Sequence, residues 1–187
     1  VCRPSQADWR GYAGRIETGS IAVGDEITVL PSGLRSRITR VAVGETELTA
    51  GFAGQSVMVS IADERDISRG DLLVRSSDAS AQVRREFQAT ICWLNANALS
   101  PARSYVLRHA TRETRARIDS IVGALDIQTL EWKGSAGAVS LNDIARVVVR
   151  TQHPLVADAY ASSRGTGSFI LVDEASNETV AAGVIAP

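Results

Sequence analysis

Lysine occurs once in the 187 residues, at Lys133. A phosphate loop needs its lysine directly after a glycine, in G-x-x-x-x-G-K-[ST]. Backbone N–H groups then wrap the phosphates and the ammonium reaches them. Lys133 follows Trp132 and precedes Gly134, so that loop is excluded, and an N-K-x-D guanine clamp is likewise absent. Asp8-Trp9-Arg10-Gly11 spells D-x-x-G, a γ-phosphate sensor in nucleotide hydrolases. With two free positions and no phosphate loop upstream, it reads as the opening of a strand. His109 and His153 are the only histidines. Catalytic zinc usually takes three protein ligands at defined spacing, which this pair does not supply. His153 precedes Pro154, where it shapes a strand end. Cys2 and Cys92 have no C-x-x-C partner, so no disulfide framework is indicated and a reduced compartment fits. Cys92, between Ile91 and Trp93, reads as a small buried thiol. No Ser-His-Asp or Cys-His spacing stands out. Asp63, Glu64 and Asp66 read as a solvated connector. The expected inventory is therefore no catalytic residue, no metal site and no cofactor site.

Arginine carries the rest of the positive charge, and it collects in two places. Arg35, Arg37 and Arg40 fall on one edge of the first half. Arg108, Arg112, Arg115 and Arg117 bracket a hairpin in the second. Each guanidinium offers a planar fork to a carboxylate or phosphate. A solvated face is the default for such runs; a docking surface for protein is the sharper reading. Net charge is −1 with pI near 6.2, and aromatics do not interleave the arginines. Nucleic acid is therefore disfavoured.

The elements that must hold these residues are strands. Hydrophobic residues make up 44% of the chain, enough to fill a core and exclude disorder. Gly11 to Ile27 reads as a strand, a reversal at Thr18-Gly19-Ser20, a short connector, and a second turn at Val23-Gly24-Asp25-Glu26. Ile27–Leu30 follows, then a turn at Pro31-Ser32-Gly33. Arg35–Val43 reads as a strand with one wet face. Gln55–Ala62 carries Val57, Val59 and Ile61 on one side, and Leu72–Val74 closes the set after a connector with one helical turn. Residues 75–85, polar and aperiodic, read as a linker. Beyond it, Phe87, Ala89, Ile91 and Trp93 alternate against Gln88, Thr90 and Cys92. Further strands are predicted at Ser104–His109, Thr114–Val122 (Ala116, Ile118 and Ser120 on one face), Leu125–Trp132, Ile144–Thr151, Ser168–Val172 and Thr179–Ile185. His153-Pro154 is expected to break the strand before it, and 133–137 to be a loop. Val1–Pro4 reads as a strand tail. Short strands at this spacing predict an all-β chain of two consecutive antiparallel β-barrels, residues 1–78 and 84–187. No stretch of about 18 apolar residues and no signal-peptide pattern is present, which predicts a cytoplasmic location. The start without Met, inside a strand, predicts a piece of a longer chain.

The pattern G-x-I-x-x-G-x-I-x-x-G-D-E-I over Gly14–Ile27 resembles the start of domain 2 in translational-type GTPases, the elongation factor Tu family. Val147–Leu155 resembles the L-x-x-P-I segment of domain 3, as does the ending, Gly167–Asp173 and Thr179–Ile185. The wording of Val1–Pro4, Asp8–Gly14 and F-I-L-V-D at Phe169–Asp173 is similar to one branch, the GTPase subunit (subunit 1) of bacterial sulfate adenylyltransferase, including forms fused to adenylylsulfate kinase. The resemblance covers essentially the whole chain. It implies barrels like domains 2 and 3 of elongation factor Tu. It also implies GTP and Mg²⁺ in a preceding GTPase domain rather than here, and a separate catalytic subunit that makes adenosine 5′-phosphosulfate from ATP and sulfate. The barrels would then be a docking scaffold for the GTPase domain and that subunit.

Two other classes compete. A tRNA- or ribosome-associated barrel pair would show a local basic patch and salt-dependent binding. A stand-alone enzyme on a barrel scaffold would show a pocket with converging titratable groups.

Overall fold

The computed structural model describes residues 11–63, 65–78, 81–134 and 138–187. Val1–Pro4, most of the D-x-x-G motif, Cys2, Glu64 and part of the 133–137 segment lie outside them. The described residues form fifteen strands and no helix, so the helical turn expected within the 63–69 connector is not among them. The chain divides into two compact units, 1–81 and 82–187.

The first unit holds β1 (Tyr12–Arg15), β2 (Ser20–Ala22), β3 (Glu26–Leu30), β4 (Leu34–Val43), β5 (Thr46–Leu48), β6 (Ala50–Phe52), β7 (Ser56–Ile61) and β8 (Leu72–Arg75). The antiparallel sheet runs β1-β7-β4-β3-β8, with β5 on β4 and a separate β2–β6 ribbon. Ile27 and Val29 on β3 and Val57 and Val59 on β7 bury by alternation, and a bulge between Ile38 and Arg40 resets the phase of β4 so that Ile38 and Val41 both turn inward. Gly19 and Gly24 sit at φ of 66° and 94°, which the reversals at those positions require.

The second unit holds β9 (Val83–Trp93), β10 (Ser104–His109), β11 (Arg112–Asp126), β12 (Glu131–Gly134), β13 (Ile144–Val156), β14 (Ser168–Val172) and β15 (Thr179–Ile185). The order β10-β14-β15-β9-β13-β11 returns to β10, so six strands close a barrel and remove its edges. Phe87, Ala89, Ile91 and Trp93 all face its interior. Phe169 meets Phe87 edge-on at 5.7 Å.

Three strand expectations need correction. Ser120 is exposed and Ile121 packs on the core, because a bulge between Ile118 and Ser120 shifts the alternation. Leu125–Trp132 is not one strand: β11 runs to Asp126, residues 127–130 turn, and β12 returns through Lys133 and Gly134, which were expected in a loop. His153-Pro154 does not end β13. The ladder to β9 skips from Arg150 to Leu155, so Pro154 lies in an irregularity where no ladder N–H is needed.

Candidate interaction surfaces

β4 is the middle strand of its sheet, paired with β7 and β3. Its arginines therefore lie on the wet face of a central strand and not at a sheet edge. Arg37 meets Glu26 at 3.2 Å, directly across the β3–β4 ladder. Arg40 meets Glu47 at 2.7 Å. Arg35 is exposed and forms no ion pair among the described residues.

The second set straddles the β10–β11 hairpin. Arg108 and Glu113 are cross-strand partners at 2.8 Å. Arg115 bonds Glu174 at 2.8 Å. Arg117 lies opposite Arg150 on β13, a like-charge pairing that would repel. Asp119 sits between them, 3.1 Å from each guanidinium, and Glu86 closes on Arg150 at 2.6 Å. Arg112 breaks from this group. It pairs with buried His109 and shares the phase of Thr114 and Ala116, so it is half-buried on the other side of the strand. The structure thus brings Arg115 and Arg117 into one interleaved charge face and leaves Arg112 out of it.

The two histidines stay apart in role. His109 is buried, its Nε2 2.7 Å from the Thr166 carbonyl oxygen. His153 is exposed, and its backbone N–H donates to Thr114 Oγ1 at 3.1 Å. Cys92 is half-buried, because it alternates with Ile91 and Trp93 and so faces outward. Among the described residues no three His, Cys, Asp or Glu side chains group as a metal site would require.

One feature had no sequence signal. An open cleft of about 210 Å³ lies at one end of the closed barrel, lined by Trp93, Asn95, Arg103, Tyr105, Asp173 and Glu178. Its polar groups already serve each other. Trp93 Nε1 donates to the Asn97 carbonyl, Asn95 to Glu178, and Arg103 pairs with Asp173 at 3.0 Å. Backbone N–H groups of Ser176 and Ala175 hold the Asp173 carboxyl below the usual carboxylate range, with Arg103 adding to the effect. Burial pushes the Tyr105 hydroxyl up, against the Ser100 N–H that donates to the phenolic oxygen. An acid held ionised and a phenol held neutral form no acid–base pair near pH 7, and the cleft is smaller than most ligand pockets, which start near ~300 Å³.

Residues 86–186 match the family described as GTP-eEF1A C-terminal domain-like. The chain belongs to this family. Among relatives of this GTP-eEF1A C-terminal domain-like chain is "Bifunctional enzyme CysN/CysC" of Mycobacterium tuberculosis, 44% identical over 99% of this chain and 31% of its own length. Another is "Sulfate adenylyltransferase subunit 1" of Tolumonas auensis, 38% identical over 99% of this chain and 39% of its own length. The resemblance read from the residues is to these same proteins. The chain spans about a third of the curated relatives it matches. Among solved structures, sup35 complexed with GDP superposes with a TM-score of 0.86 at 21% identity, covering 95% of this chain and 43% of that one. That likeness establishes the fold alone, an all-β chain of two consecutive barrels. Among the described residues no helix is long and apolar enough to cross a membrane.

Proposed function

We propose that this barrel pair is the non-catalytic β-barrel part of the GTP-hydrolysing subunit of sulfate adenylyltransferase. The whole protein would couple GTP hydrolysis to formation of adenosine 5′-phosphosulfate from ATP and sulfate in the cytoplasm. GTP and Mg²⁺ would be held by its GTPase domain, and in fused forms an adenylylsulfate kinase would share the chain. The barrels serve as docking scaffold for the GTPase domain and the catalytic subunit, with residues 1–78 and 84–187 as the two docking bodies. The observation that carries this reading is the match along 99% of the chain to proteins bearing those names. The closed barrel supports it, since six strands paired all the way round move as one piece when a neighbouring domain switches.

The arginine faces fit protein docking better than nucleic acid. Arg37, Arg40, Arg108, Arg115 and Arg117 each already meet a carboxylate. A phosphate backbone would have to displace those partners, whereas a protein surface can exchange them pair for pair.

The test is reconstitution of the full-length protein with the catalytic subunit. Removing the barrel pair abolishes the complex and the GTP dependence of pyrophosphate release. This chain alone gives no heat with GTP in calorimetry. A full-length protein that ignores the catalytic subunit, or a barrel pair that binds GTP, overturns the proposal.

A further inference from the structure

We propose that the β11–β12 hairpin tip is a preformed plug that seats in an apolar socket with a cationic rim on the catalytic subunit. This rests on the preceding reading, which supplies that subunit. The β11–β13 ladder ends at Ala124, so the turn at residues 127–130 stands beyond it. Ile127 and Leu130, the first and last residues of that turn, are 65% and 74% exposed. Hairpin turns ordinarily carry Gly, Asn, Asp or Ser there. Leu130 also holds φ of 60°, a left-handed conformation that suits Gly or Asn and strains a leucine.

The turn is not loose. Asp126 accepts from the Gln128 and Thr129 N–H groups at 2.9 and 3.3 Å, its carbonyl accepts from Leu130 N–H at 2.7 Å, and Lys133 clamps its other oxygen at 2.5 Å. Beneath it, Arg146 lies 3.9 Å over the Trp132 ring and fixes the returning strand. Two large aliphatic side chains are thus held out to water on a rigid mount, one at a conformational cost, with no local gain. Such a break in local rules marks function, and preformed apolar anchors are what interface hot spots are made of.

Charge selects the occupant. Asp126 is engaged by Lys133, but Glu131 is exposed and makes no ion pair among the described residues. A different subunit with basic residues around an apolar pocket answers both features.

The experiment measures binding of the full-length protein to the catalytic subunit of sulfate adenylyltransferase, by calorimetry at low and high salt, with a thermal melt of each variant. Ile127→Asp weakens binding by about 10-fold or more, the loss expected of an anchor residue. Leu130→Asn weakens it about fivefold while the melting temperature holds or rises, because Asn accepts the left-handed backbone. Glu131→Lys weakens it about fivefold at low salt, and the deficit shrinks at high salt. Wild-type binding with all three variants within about twofold of it overturns the plug but leaves the docking scaffold standing. A wild-type dimer that Ile127→Asp dissociates also overturns it, in favour of a second copy. Failure of the wild type to bind the catalytic subunit sinks the reading beneath it.

Discussion

Asp173 follows β14 with its carboxylate turned back onto its own chain. It accepts from the Ala175 and Ser176 N–H groups at 2.9 and 3.1 Å and from Arg103 at 3.0 Å. All of these prefer the ionised acid, so its folded pKa lies below the ordinary carboxylate value. The sign follows: the contribution to stability is whole above about pH 3.9, the usual unfolded value, and is lost as pH falls through the lower folded value. Asp173→Asn should lower the melting temperature at pH 7 and flatten the fall in stability between neutral and acid pH. Melts from pH 7 to pH 3 decide it; parallel curves for the two proteins would show that Asp173 contributes nothing. Asp119 acts differently, by separating Arg117 from Arg150. These groups are exposed, so Asp119→Ala should cost no more than about 0.5–1 kcal/mol, and the cost should fade in high salt. Urea titrations with and without salt measure it. A loss that salt does not touch would point to packing instead.

At the scale of elements, the β14–β15 pair rests on Gly183. It faces Phe169 across the ladder, and a Cβ there would lie 2.4 Å from the Phe169 ring. The ring fills the space over the glycine while reaching Phe87 in the core. Gly183→Ala should therefore destabilise the barrel by about 1–3 kcal/mol through overpacking, and adding Phe169→Leu should recover part of it. A double mutant no better than additive would refute the link. Much of this architecture is legible in the sequence. The alternation at Phe87–Trp93 and at Val57–Ile61, and the glycines at 19 and 24, are local signals. What escapes is whatever depends on a neighbouring strand. The bulge that moves Ile121 inward in place of Ser120 is set by pairing with β13, and Arg112 is parted from Arg115 by the same alternation. Pro154 reads as a strand end because its lost N–H matters only where a ladder bond is due, and at the β13 irregularity none is. The charge faces show the same limit. Their arginines are visible as residues, but some carboxylate partners come from far along the chain, Glu174 from the turn after β14 and Glu86 from β9. The cleft is assembled from three separate segments and has no linear trace.

At the scale of the molecule, the two units differ in the size of the core they bury among the described residues. Residues 82–187 enclose one continuous core, from Phe87 and Trp93 through Leu107, Ile118 and Val149 to Leu171 and Ile185, inside a ring of six strands with no open edge. Residues 1–81 bury a smaller set around Ile27, Val41 and Val59, beneath a sheet whose pairings do not close among the described residues. Small domains gain little from burial, since the buried fraction falls with size. Residues 82–187 expressed alone should therefore fold and unfold in urea as one cooperative transition, with a slope of about 1–3 kcal/mol/M. Residues 1–81 alone should melt lower and show earlier amide exchange. The contrast bears on the proposed docking role. A scaffold that carries force needs at least one body that does not yield, and by its closure and core that body is the second barrel, which also mounts the strained tip at Leu130. An 82–187 piece that fails to fold, or exchanges its β9 and β13 amides as fast as a frayed terminus, would show that its rigidity is borrowed, and would remove the second barrel as the fixed body of the scaffold.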